Sequence, residues 1–161
     1  MNRMILMVLL LTLLAAPPCR GAAPAAPELA GVTLLSASGE LFAAEQAGKE
    51  GPVLLVLIDK GMPGGSAMLD YLSGLDPQFP AGRLLVVVAG SDARVLAMIS
   101  GKYPGLDAGW YRDPEGALAR QLKLTVTPAV LGVRSGKVLW SQYGISDPEL
   151  LEKSMRGWLN R

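Results

Sequence analysis

The chain holds one cysteine, Cys19, and no histidine. Disulfide exchange needs an activated thiolate to attack and a second thiol to resolve the mixed disulfide. Imidazole acid–base chemistry needs histidine. Beyond residue 19 the chain offers neither. The remaining chemistry-bearing residues are sparse. Met62 and Met68 carry thioethers soft enough for copper, but with no histidine or cysteine beside them they read as packing residues. Asp59-Lys60 reads as two solvated charges on a loop. Gly64-Gly65-Ser66 reads as a helix entry near Ser66, whose free N–H groups and dipole favour an anion, with Ser66 as the cap. Trp110-Tyr111, Trp140 with Tyr143, and Trp158 read as core or half-buried aromatics rather than a recognition face. No paired carboxylates, nucleotide-binding loop or metal cluster stands out, and no cofactor is expected.

Composition narrows the setting. Half of the 161 residues are hydrophobic, enough for a sizeable core. The formal charge is +1. Without Arg3 and Arg20 the 15 basic residues become 13 against 14 acidic ones, a charge of −1. That balance argues against nucleic acid or an anionic membrane as partner. Arg3, the apolar run Met4–Ala16 and the small and proline residues up to Pro27 have the pattern of a secretory signal. Residues 1–25 are therefore expected to be a leader and linker, cut between Gly21 and Ala26, and the mature protein to be periplasmic or secreted. Pro18 stands where a lipoprotein signal has a small residue, so lipid on Cys19 is not expected. No stretch reaches the roughly 18 apolar residues of a stable membrane span.

The elements that must position any site follow from periodicity. Val32–Leu35 reads as a short strand, Ser38-Gly39-Glu40 as a turn, and Leu41-Phe42 as the start of another strand. Val53–Ile58 (VLLVLI) and Leu84–Ala89 (LLVVVA) are continuous apolar runs, as central strands covered on both faces are. The helix between them, from Ser66 to Gly74 and Pro77, predicts a parallel βαβ unit. Asp92 caps a second helix that ends at Gly101. Ala108–Tyr111 reads as a strand, and Asp113-Pro114-Glu115-Gly116 opens a helix over Ala117–Leu122. The turn Arg134-Ser135-Gly136-Lys137 predicts an antiparallel hairpin with Val138–Tyr143. Asp147-Pro148 opens a last helix, with Leu150, Leu151, Met155 and Trp158 inward.

Three segments in this order resemble the thioredoxin-like superfamily, in its exported branch of TlpA-type and redoxin-like proteins, over residues 29–160. They are Val32-Thr33-Leu34 with Gly39, the strand Gly51-Pro52-Val53 to Ile58, and the run from Asp113-Pro114-Glu115-Gly116 through Thr127-Pro128-Ala129-Val130 to Lys137-Val138. The resemblance implies an α/β three-layer fold, a central mixed sheet flanked by helices. It implies a cis Thr127–Pro128 bond, with Thr127, Pro128 and Ala129 as a peptide-binding loop. It also implies that Met62-Pro63-Gly64-Gly65 stands where the family carries Cys-Pro-x-Cys. The family's buried acid, six residues before the first cysteine, is here Val56.

The expectation is a redox-inactive exported protein that binds or helps assemble another envelope protein. Two rivals stay open. One is a thiol-disulfide oxidoreductase of the TlpA or redoxin type, which would have to keep Cys19. The other is a purely structural subunit.

Overall fold

The computed structural model describes residues 26–75 and 79–161. The leader, Cys19 and the helix-ending role of Pro77 lie outside these residues. The runs VLLVLI and LLVVVA form β3 (Val53–Asp59) and β4 (Leu84–Ala89), parallel and in register from Leu54 opposite Leu84 to Asp59 opposite Ala89. Between them lies α1 (Pro63–Ser73). Short strands β1 (Thr33–Ser36) and β2 (Leu41–Ala43) form a hairpin on one side. The rest are α2 (Ala93–Ser100), β5 (Gly109–Asp113), α3 (Ala117–Gln121), β6 (Ala129–Arg134), β7 (Lys137–Tyr143) and α4 (Pro148–Leu159). The strands make one mixed sheet in the order β2-β1-β5-β4-β3-β6-β7.

Alternation along β3 feeds two cores, one on each face of the sheet. Leu54, Val56 and Ile58 pack with Met68 and Leu72 of α1 and with Met155 and Trp158 of α4. Leu55 and Leu57 pack on the other face with Leu29, Leu34, Ala44 and Leu118. A strand that must bury side chains in both directions has no polar position to spare, which is why its sequence is apolar from Val53 to Ile58. Each such buried Leu, Ile or Val contributes roughly 1.5–3 kcal/mol.

Local chemistry sets the ends. Ser135 and Gly136 have φ of +49° and +70°, the positive pair that a tight hairpin turn between β6 and β7 requires. Asp92 and Asp147 accept from the N–H groups of Val95 and Leu150, at 2.8 and 2.9 Å, as caps of α2 and α4. Trp158 donates its indole N–H to the Val53 carbonyl at 2.9 Å and lies flat on Gly132, where a Cβ would come 2.8 Å from the ring.

Three expectations change. The first helix starts at Pro63, one turn before Ser66, because proline's fixed φ suits the first helical position; its N-cap is Met62 and no side chain caps it. Leu150 is 53% exposed rather than inward, since Leu151, Met155 and Trp158 define the buried stripe and Leu150 falls a third of a turn away. The fifth strand runs to Asp113, whose carboxylate turns inward and holds the start of α3.

Candidate functional site

The site lies at the C-terminal end of β3, where the chain must turn from sheet into α1. Asp59 shapes that turn: its Oδ1 accepts from the Gly61 N–H at 2.9 Å and its carbonyl from the Met62 N–H at 3.3 Å. Met62 then stands at the N-cap, 53% exposed, with Pro63 beside it. Gly65 is buried, and a Cβ there would come 3.2 Å from Ile58 Cβ and 3.3 Å from the Asp59 carbonyl. One position of the motif therefore faces out and the other in. That disposition suits an attacking and a resolving thiol, yet a thioether and a bare backbone occupy it.

The loop before β6 closes against this turn. A Cβ on Gly64 would lie 2.9 Å from Pro128 Cδ, so only glycine lets the two loops meet so closely. The Thr127–Pro128 peptide is cis. Pro128 is buried and its carbonyl accepts from the Gly144 N–H at 2.9 Å. Ala129 is fully buried and pairs with Leu57 on one side and Tyr143 on the other. Thr127 is half-buried, and its backbone N–H and carbonyl make no hydrogen bond among the described residues. Of the three loop residues, Thr127 is therefore the accessible one, while Pro128 and Ala129 are buried.

Two neighbours escape sequence reading. Val126 is 54% exposed next to Thr127. Met98, 56% exposed, reaches from α2 to a cleft of about 110 Å³ that Met62, Lys60, Ser66 and Lys102 also line. Neither breaks an apolar pattern, so nothing in the sequence marks them as surface. Tyr103 closes the cleft and donates to Asp70 at 2.9 Å; burial, and then that bond, raise its pKa and keep the phenol protonated. Met68 is fully buried in the core, away from any pairing with Met62 at the surface. The aromatics do not form one face. Trp110 packs on the α1 side of the sheet, Tyr111 stacks on Phe42 on the other side, and Trp158 is buried.

No protein-family model and no curated protein sequence matches the chain. Solved structures do match. A secreted disulfide oxidoreductase of Mycobacterium tuberculosis, homologous to E. coli DsbE, superposes with a TM-score of 0.60 at 15% identity, over 78% of this chain and 95% of that one. A thio-disulfide isomerase from Thermus thermophilus gives a TM-score of 0.63 at 19% identity, over 83% and 95%. StoA from Bacillus subtilis gives 0.54 at 14%, over 76% and 93%. The fold is thioredoxin-like, akin to that of thiol-disulfide oxidoreductases. The chain's single cysteine, at position 19, leaves it without the thiol pair and fits a non-redox role.

Proposed function

We propose that this protein is exported and binds an extended segment of another envelope protein at the paired loops Met62–Gly65 and Val126–Ala129, without disulfide exchange. The observation that carries the reading is Thr127. Its N–H and carbonyl have no partner among the described residues, Val126 beside it is exposed, and a Cβ on Gly64 of the facing loop would lie 4.0 Å from its carbonyl oxygen. An extended chain laid along Thr127 gains backbone hydrogen bonds there and apolar contact with Val126. The adaptable Met62 side chain suits a partner surface that varies from one bound segment to the next. The leader pattern of residues 1–25 supports export, as does the likeness to a secreted protein.

Unfolded, carboxymethylated α-lactalbumin, which has no free thiol, is a suitable probe. It binds the protein, and Val126→Asp weakens binding by about tenfold or more, because a carboxylate at an apolar contact must be desolvated. Equal binding by the variant, or no binding by the parent, removes this reading.

A further inference from the structure

A second cavity, of about 540 Å³, opens at the other end of the sheet, where β3 and β4 begin. Small-molecule sites usually enclose roughly 300–1,000 Å³. Its floor is Val53 and Leu85, part of the core on the Leu55 face. One wall is aromatic: Phe42 and Tyr111 stack with ring centroids 4.7 Å apart. Tyr111 lies over Gly109, where a Cβ would come 3.0 Å from the ring and 3.5 Å from the hydroxyl. That hydroxyl makes no hydrogen bond among the described residues. Burial, and then Glu40, raise the Tyr111 pKa, so it remains a protonated donor at neutral pH.

The cavity lining also includes Arg83. Its Nη1 donates to the carbonyls of Glu50 and Pro52, both at 3.3 Å. Gly51 makes room for it: φ is +131°, a value for glycine alone, and a Cβ would come 2.5 Å from Nη1. The loop before β3 thus seats a guanidinium in one orientation. No carboxylate pairs with Arg83 among the described residues, and its Nε and Nη2 have no hydrogen-bond partner there. A fixed guanidinium edge recognises a planar carboxylate. An aromatic wall recognises a ring.

We propose that this cavity binds a small aromatic carboxylate, with its ring against Phe42 and Tyr111 and its carboxylate on Arg83 and the Tyr111 hydroxyl. The site is separate from the paired loops, and its ligand does not depend on what binds there. A free aromatic acid and the C-terminal aromatic residue of a chain share this chemistry.

The test is an amide chemical-shift titration of the ¹⁵N-labelled protein with benzoate, acetate, benzyl alcohol and N-acetylphenylalanine. Benzoate should saturate in the millimolar range, as roughly suits so small a ligand, with shifts at Gly48, Gly51, Gly82 and Gly109. Acetate and benzyl alcohol should bind about tenfold more weakly or worse, each lacking one recognised group. Tighter binding of N-acetylphenylalanine than of benzoate assigns the ligand to a chain terminus, and the reverse order to a free acid. Arg83→Gln should weaken benzoate by about tenfold or more. Because Arg83 also holds backbone carbonyls, Ala81→Trp, at an exposed lining position, is the second variant and should block the cavity without touching that clamp. Absence of saturable shifts, shifts elsewhere, acetate equal to benzoate, or undiminished binding in Ala81→Trp overturns the proposal.

Discussion

Glycine at positions 64 and 65 decides what the site is. Gly64 lets the Pro128 ring approach, and Gly65 leaves an inward position without a side chain. The strand-to-helix turn that carries Met62–Gly65 was legible because a covered apolar run ends just before it and a helical pattern follows. Val126 and Met98 were not, because exposure of an apolar residue is settled by tertiary packing. The geometry predicts that Met62→Cys with Gly65→Cys yields an intrachain disulfide on mild oxidation, seen as loss of two thiols by titration and of two hydrogens by mass. Gly65→Cys alone should lower stability by about 1 kcal/mol, since its Cβ meets Ile58 and the Asp59 carbonyl below ordinary contact distance. Asp113 is the other decisive residue. It is 1% exposed, and its two oxygens accept from the N–H groups of Ala117 and Leu118 at 2.9 and 2.8 Å. The sequence marked Asp113 as the opening of a helix. It did not show a buried carboxylate, which arises only when α3 folds back onto β5. Asp113→Ala leaves two donors unsatisfied and should cost roughly 1–3 kcal/mol in urea unfolding.

Among the elements, the covered strands and the hairpin were the most legible, since a run of six apolar residues and a Ser-Gly turn admit few alternatives. Helix faces were less so: Leu150 fits an apolar count but not the stripe that α4 turns to the sheet. Beside its core contacts, α4 packs Trp158 closely on Gly132, which joins positions 26 residues apart and leaves no local signature. Gly132→Ala drives a methyl into the indole and should lower stability by about 1–3 kcal/mol, with a shifted tryptophan emission as the marker. At α2, the Val95 N–H is the main cause that holds the Asp92 carboxyl below its ordinary pKa of 3.8. The charged form is therefore favoured in the folded state. Its contribution is complete above the ordinary pKa and is lost as pH falls through the lower folded value. Asp92→Asn keeps a cap but removes that titration, so the urea midpoint of the variant should fall less steeply than the parent's below pH ~4.

At the scale of the molecule, a thioredoxin-like sheet carries the loop pair Met62–Gly65 and Val126–Ala129, and neither loop holds a thiol. The order of strands and helices was readable from the sequence. The cavity at the far end was not, because its walls come from four segments, around Phe42, Lys49, Arg83 and Tyr111, that only the sheet brings together. If the fold serves binding alone, the protein should not accelerate insulin reduction by dithiothreitol above buffer, whereas the dicysteine variant gains measurable turnover. The claim that the loop pair is the working surface is tested most directly by mapping amide shifts on adding unfolded, carboxymethylated α-lactalbumin. The account predicts shifts at Met62, Gly64, Gly65, Val126 and Thr127 that vanish in Val126→Asp. Shifts confined to other surfaces, or none at saturating probe, contradict it.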